Sequence, residues 1–499
     1  MQWALISVTD KTGIEDLAQS LLQQGIGILA SGGSAQHLEN AGIAVTRVET
    51  LTGFEQLLGG RVKTLHPVLY AGILSQESVQ DQKDRAMVAA PEISVVVVNL
   101  YDFEGALADS GDLEDLVEAI DVGGVSLIRA AAKNFARVLV VTRPEQYDAL
   151  IGRQVADFTL EERRVWASQA FRHMAYYDAV IGNRLAEDDH FGPFMVLAGR
   201  RQSTALRYGE NPHQAAAWYR TPGAGGLGDA RLVQGKPLSY NNVLDADAAW
   251  RLARELPEAA VVAVKHQIPC GVAVGPTPHE SYRMVHASDP VSIFGGIVAV
   301  HGSVDEELAR ALVEVFLEVV VAKGYTPSAL AILAQKKNLR VLEMLTSAPH
   351  DLEVRMVAGG FLAQESDRLK TRARDFRHVA GPLVHQWTDV DLAWRTAAHV
   401  RSNAIVIARD GATVGIGGGE TNRIDAARHA LERAGDRAQG AVLASDGFFP
   451  FGDVVLAAAE YGIRVVVEPG GALRDQESVN AADNAGITLI FTGERHFRH

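Results

Sequence analysis

The sequence predicts an α/β protein: a doubly wound parallel sheet in its N-terminal part and further strand–helix units behind it. Three observations carry that reading. A chain of 499 residues exceeds one compact core, so two or three domains are expected. Short β-branched runs, apolar throughout rather than alternating, have the character of parallel strands buried on both faces. Between them lie segments of helical periodicity that close in glycine.

In chain order, "WALISV", "GIGILA", "ISVVVVNL" and "ARVLVVT" are the N-terminal strands, with "GIEDLAQSLLQQG" and "SAQHLENAG" among the helices between them. The stretch "TLEERRVWASQAFRHMAYYDAVIGNRLAE" (159–187) closes the unit as a helix. The polar "DDHFGPFMVLAGRRQ" marks a boundary, giving a first domain at 1–195 and a second region at 196–499. A long helical region is expected around 304–347, and a last α/β stretch from "SNAIVIARDG" onward. "VVAVKHQIPCGVAVG" and "SNAIVIARDGATVGIG" both read strand, polar turn, strand, glycine, a faint internal echo.

The net charge of −14 excludes non-specific nucleic-acid binding, which needs a basic footprint. No apolar run approaches the length of a membrane span, and "MQWALIS" has no basic leader, so a cytoplasmic protein is expected. One cysteine rules out an internal disulfide and a multi-cysteine zinc or iron–sulfur site. No metal ligands are assigned.

Candidate anion-binding loops follow the N-terminal strands. "ILASGGSAQHL" (28–38) reads strand, Ser-Gly-Gly-Ser turn and helix start, so backbone amides and a helix N-terminus can face an anion. A tight turn with Ser34 as N-cap is the plainer reading of that stretch alone. "SVTDKTG" (7–13) adds Lys11, and "GGRVKTLHP" (59–67) adds Arg61, Lys63 and Thr64. Three such loops point to a phosphorylated small molecule at the carboxyl ends of the strands. There is no G-x-x-x-x-G-K-[ST], and "GIGGGE" (415–420) has Glu420 where G-x-G-x-x-G needs its last glycine.

In "AVVAVKHQIPCGVAVG" (260–275), Lys265 and His266 sit at the end of an apolar run. On the segment alone a solvated strand end is the plainer reading, beside a thiol or metal site at Cys270 and an acid–base pair. Neighbours on a regular strand face opposite ways, so a shared substrate requires a break, which Pro269 and Gly271 are expected to supply. Cys270 is better read as a small buried residue than as a nucleophile.

Twelve segments in order carry a resemblance: "SVTDKTG", "ASGGSAQ", "GGRVKTLHP", "VVNLYDF", "IDVGGVSLIRAAAKN", "LRYGENPHQ", "LSYNNVLDADAAW", "VKHQIPCGVAVG", "DPVSIFGG", "SNAIVIARDG", "SDGFFPFGD" and "RHFRH". The chain resembles, essentially end to end, the bifunctional purine-biosynthesis family: phosphoribosylaminoimidazolecarboxamide (AICAR) formyltransferase fused to IMP cyclohydrolase. The resemblance implies a methylglyoxal-synthase-like N-terminal domain and a C-terminal region of two cytidine-deaminase-like α/β subdomains, about 200–375 and 376–499, without zinc. It implies AICAR, formyl-AICAR and IMP as ligands, 10-formyltetrahydrofolate as co-substrate, no transition metal, and room for a bound monovalent cation. It also implies a homodimer whose transferase sites are shared between subunits.

By the same resemblance, His266 is the base and Lys265 the cation of formyl transfer, a division of labour their chemistry suits. Arg207 and Tyr208 grip the nucleotide, Asn403 and Arg423 lie near it, and Arg495 takes its phosphate. Lys63, Tyr101, Asp121 and Lys133 match the cyclisation residues, with Lys11, Ser31, Gly33, Ser34, Arg61 and Thr64 holding substrate. A helix-surface lysine is the plainer reading of Lys133, and a plain terminal tail that of His496 and His499. The chain departs from the family pattern at Ile268 (Asn is usual), Asp102 (Pro), Phe135 (His) and Glu420 and Glu468 (Gln at both). Ile268 lies beside the catalytic pair, and Glu420 would bring negative charge toward substrate anions. Two other readings are weighed: a chain with only the cyclohydrolase half active, and a nucleotide- or folate-binding regulator without turnover.

Overall fold

The computed structural model describes residues 1–55, 57–109, 112–186, 191–346 and 352–499. Residues 188–190, in the segment read as the boundary, and residue 347, at the end of the expected helical region, lie outside the described residues. The chain forms two units, residues 1–200 with 221–223 and residues 201–220 with 224–499.

The first unit holds a parallel sheet of β1 (Gln2–Ser7), β2 (Gly27–Ala30), β3 (Thr46–Arg47), β4 (Glu92–Val98) and β5 (Leu139–Val141). Its order is β3-β2-β1-β4-β5, so the winding reverses between β1 and β4 and opens a crevice at their carboxyl ends. The interiors of β1, β2, β4 and β5 are mostly apolar because both faces are covered, while the edge strand β3 is the polar pair Thr46–Arg47. Leu5, Val96 and Ile128 belong to one core, while Ile6, Val97 and Leu17 belong to the other. The helix Leu160–Leu185 opens with a capping box between Thr159 and Glu162 and packs Ala170, Met174 and Tyr177 into the first of these cores.

The second unit is built on one twelve-stranded sheet. From one edge its strands are Arg377–Ala380, Thr488–Phe491, Val465–Glu468, Val442–Ser445, Ile405–Arg409 and Ala412–Gly417. They continue as Ile268–Val274, Ala260–Lys265, Ile297–Val304, Val319–Tyr325, Arg340–Glu343 and Arg231–Gln234. Counted outward from the central pair, each half repeats the same relations: antiparallel, antiparallel, parallel, parallel, antiparallel. The echo between the two segments is therefore a duplication, joined where Ala273 pairs with Ala412. The helices Tyr240–Glu255 and Trp387–Ala398 occupy matching places, and both contribute a tryptophan, Trp250 and Trp394, to one shared core.

Residues 304–347 are not one helical region. The helices Glu306–Glu314 and Pro327–Leu333 are separated by the strand Val319–Tyr325, and the strand Arg340–Glu343 follows. The β-branched run at Val319, Val320 and Val321 favours a buried strand and outweighs the helical period on either side of it.

Candidate active sites

In the first unit the loops after β1 and β2, the segment 61–64 and the start of the helix Gly123–Lys133 converge on the carboxyl edge of the sheet. Asn99, just past β4, accepts the amides of Thr9 (2.5 Å) and Asp10 (3.1 Å) and donates to Asp10 O, fixing the loop that carries Lys11. Lys11 Nζ donates to Thr9 O at 3.3 Å. Ser34 is not an N-cap: the helix starts at Gly32, and the buried Ser34 hydroxyl accepts Val8 N and donates to Val8 O. Its oxygen is committed to joining the first turn of that helix to the residue after β1. Ser31 is buried at the end of β2, and Gly33 is exposed, with open space where a side chain would begin.

Lys63 reaches Gly32, its Nζ lying 3.8 Å from where a Cβ there would stand. The buried Thr64 presents Oγ1 to Gly123 in the same way, at 3.1 Å. Asp121 stands at the N-terminal edge of the helix Gly123–Lys133, where Oδ1 accepts Gly124 N at 2.6 Å. Burial holds its carboxyl above the ordinary value, while bonds from the Gly124 and Tyr101 amides and the charge of Lys63 pull the other way. Tyr177 fixes the Asp121 backbone: its hydroxyl accepts Asp121 N at 2.9 Å and donates to Ala119 O at 3.1 Å. Tyr101 is 40% exposed at the mouth of this group.

Arg61 is exposed and paired with Glu118, three residues before Asp121. Lys133 stands further off. The helix Gly123–Lys133 returns from the carboxyl edge of the sheet toward the start of β5, and ten residues at 1.5 Å each put Lys133 about 15 Å from the end beside Asp121. Within one chain, therefore, Lys63, Thr64, Tyr101 and Asp121 come together and Lys133 does not join them. Asp102 makes a different departure useful: its Oδ1 accepts Gly105 N at the start of the helix Phe103–Asp109.

In the second unit the strand pairing shifts register between Pro269 and Gly271, where the break is expected, and the chain also turns just after Lys265. His266 and Gln267 form a two-residue hairpin turn between the strands Ala260–Lys265 and Ile268–Val274, and Pro269 lies inside the second strand. Both turn residues have positive φ, 56° and 64°, a conformation that suits glycine or asparagine and costs other residues about 1 kcal/mol or more each. Asp245 holds them there: Oδ2 accepts His266 N at 3.1 Å and Oδ1 accepts Gln267 N at 2.7 Å. Lys265 Nζ donates to Phe294 O at 2.9 Å. Burial pushes the Cys270 thiol up to about 12, so it supplies no thiolate near neutral pH.

Asp245 was not singled out by the motifs, although the duplication carries a signal for it. D-x-D-x-x-W occurs at Asp245–Trp250 and again at Asp389–Trp394, each at the same distance before a turn. In the second copy Asp389 accepts the amides of Asp410 and Gly411.

A further group gathers at the carboxyl ends of the strands Val442–Ser445, Val465–Glu468 and Thr488–Phe491. Arg423 is buried, bonded to Ser445 Oγ at 2.8 Å and paired with the fully buried Asp446. Its guanidinium and that of the exposed Arg495 both stand over the Phe497 ring, at 5.9 and 4.7 Å. Asn403 donates through N and Nδ2 to Glu420 O, while the Glu420 carboxylate turns away to His429 at 2.9 Å. Arg207 lies over the Tyr208 ring, 5.5 Å from its centroid. His496 is buried rather than part of a loose tail, with Nδ1 bonded to Asp367 at 2.8 Å and its ring against Trp394.

A cavity of about 980 Å³ borders the hairpin turn through Gln267 and the arginine group through Phe497. Its lining carries seven Arg and Lys against four Asp and Glu, a cationic surface within an acidic chain.

The family described as AICARFT/IMPCHase bienzyme matches residues 131–433, and the MGS-like domain family matches residues 13–126. Curated relatives named bifunctional purine biosynthesis protein PurH match the chain nearly end to end. The protein from Cyanothece sp. is 46% identical, over 99% of each chain. That from Shouchella clausii is 45% identical over 99% of each, and that from Cutibacterium acnes 44% identical over 99% of this chain and 98% of its own.

Proposed function

The chain belongs to the AICARFT/IMPCHase bienzyme family, and from that premise we propose how its own residues divide the work. It is a bifunctional enzyme: it transfers a formyl group from 10-formyltetrahydrofolate to AICAR and cyclises formyl-AICAR to IMP.

Formyl transfer falls to the turn held by Asp245, the single observation that carries the reading. The exocyclic amine of AICAR attacks the formyl carbon, His266 takes the amine proton, and the tetrahydrofolate nitrogen leaves with a proton. Lys265 stabilises the charge that develops on the formyl oxygen. Arg207, Tyr208, Asn403, Arg423 and Arg495 hold the nucleotide. The pairing of Arg423 with Asp446 leaves Arg495 as the more available cation for its phosphate. The net positive lining of the cavity beside Gln267 supports anionic substrates on this side of the unit.

Cyclisation falls to Lys63, Tyr101 and Asp121. The carboxamide nitrogen attacks the formyl carbon and Asp121 accepts its proton; Lys63 with Tyr101 polarises and protonates the oxygen, which departs as water as the formamide nitrogen gives up its proton and the ring C=N bond forms. Burial makes Asp121 a stronger base than a surface carboxylate. Lys11, Ser31, Gly33, Arg61 and Thr64 hold the substrate phosphate and ribose, with Ser34 bracing the loops. Lys133 enters such a site only from a second copy of the chain, which a homodimer supplies. No helix among the described residues is long and apolar enough to cross a membrane, and a cytoplasmic enzyme is the corresponding proposal.

The test is IMP formation from AICAR and 10-formyltetrahydrofolate by the purified chain. Product only from pre-formed formyl-AICAR would mean that the transferase half is inactive.

A further inference from the structure

Glu468 ends the strand Val465–Glu468 with no exposed surface. Its Oε2 accepts Phe449 N at 2.6 Å, and its Oε1 is buried without a hydrogen-bond partner. Its backbone carbonyl accepts Thr492 N at 2.9 Å, at the start of the segment carrying Arg495 and Phe497. The loop that follows it is pinned by Asp475, which accepts Gly471 N and Ala472 N. Glu468 thus joins the loop at Phe449 and the segment at Thr492 to its own strand end, at the edge of the arginine group.

The charged groups around Glu468 are Arg423, Asp475 and, paired to Arg423, Asp446. A buried carboxylate without a cation of its own is costly, and Arg423 is already engaged by Asp446. Burial, with Asp475 adding to it, pushes the Glu468 carboxyl up to about 8. As an acid, Glu468 mimics glutamine: one oxygen accepts the Phe449 amide and the other carries a proton.

Resting on the transferase reading above, we propose that Glu468 is a positioning residue, held as an uncharged acid that ties the loop after Ser445 to the loop after itself. Its ionisation offers Arg423 a second carboxylate, draws it from Asp446, and loosens both loops at the nucleotide site. Formyl transfer then falls on the alkaline side while cyclisation, in the other unit, does not.

The experiment compares Glu468→Gln with the unaltered full-length protein from pH 6 to pH 9.5, following both activities. A group titrating at about 8 is about nine-tenths ionised at pH 9. The ratio of Glu468→Gln to unaltered transfer rate is therefore expected near one at pH 7 and to rise about tenfold by pH 9, with the cyclisation ratio flat. Limbs that belong to Lys265, His266 or the substrates cancel in the ratio. Melting temperatures give a second readout. The unfolded chain releases this proton near an ordinary carboxyl pKa and the folded chain near 8, so stability lost by the unaltered protein between those values is retained by Glu468→Gln. A transfer ratio that stays flat, or a rise shared equally by cyclisation, overturns the proposal. Absence of transfer at every pH overturns the parent reading instead, and the melts then decide on the uncharged acid alone.

Discussion

Asp245 Oδ1 accepts the amide of Gln267 at 2.7 Å, and its other oxygen accepts that of His266, so one carboxylate from a helix sets a left-handed hairpin turn. Asp245→Ala leaves both turn amides without this acceptor. Loss of formyl transfer by roughly 100-fold is expected, the scale of a small misplacement of catalytic groups. Cyclisation should stay near the unaltered rate. Gln267→Gly, which removes backbone strain, should partly restore transfer in the Asp245→Ala background. Steady-state assays of each reaction check both.

The acid side of the cyclisation profile reports Asp121, which must be ionised to take a proton. Its pKa lies above the ordinary value, and Lys63 holds it down in part. Lys63→Met should therefore move that limb to higher pH as well as lower the maximal rate. A limb that moves down would show that Asp121 is not the base.

Tyr177→Phe removes the hydroxyl that accepts Asp121 N and bonds Ala119 O. About 1–2 kcal/mol of stability should be lost, as for a buried bond left half made, together with roughly tenfold in cyclisation. Thermal or denaturant melts and the cyclisation assay read the two effects, and transfer should not change.

Lys133 and Asp121 flank opposite ends of one helix. Neither Lys133→Ala nor Asp121→Asn should cyclise formyl-AICAR alone. Mixing the two chains under conditions that exchange subunits should return activity, to about a quarter of the unaltered level per site if assortment is random. Inactive mixtures with demonstrated exchange would remove Lys133 from a shared site.

Much of this arrangement was legible in the sequence because buried parallel strands and glycine turns write strong local patterns. The loops with Lys11, Gly33 and Lys63 follow from such patterns. The irregularity at Pro269 and Gly271 is legible, but the turn at His266 and Gln267 is not, because histidine and glutamine are poor turn formers and their conformation depends on Asp245 in the preceding helix. Asn99 and Tyr177 carry no motif, since they act by bracing backbone amides from a distant element. Lys133 matched a motif, but only the direction of its helix separates it from Asp121. The region 304–347 reads as helical because the helices Glu306–Glu314 and Pro327–Leu333 flank the strand Val319–Tyr325 closely on both sides.

Two reactions run on two separate residue sets. Product analysis from AICAR and 10-formyltetrahydrofolate, with His266→Ala and Asp121→Asn beside the unaltered chain, tests it most directly. The unaltered chain should yield IMP, and Asp121→Asn should accumulate formyl-AICAR. His266→Ala should leave AICAR untouched yet cyclise added formyl-AICAR near the unaltered rate. Loss of both reactions in either folded variant, or IMP from AICAR in both, would contradict the account.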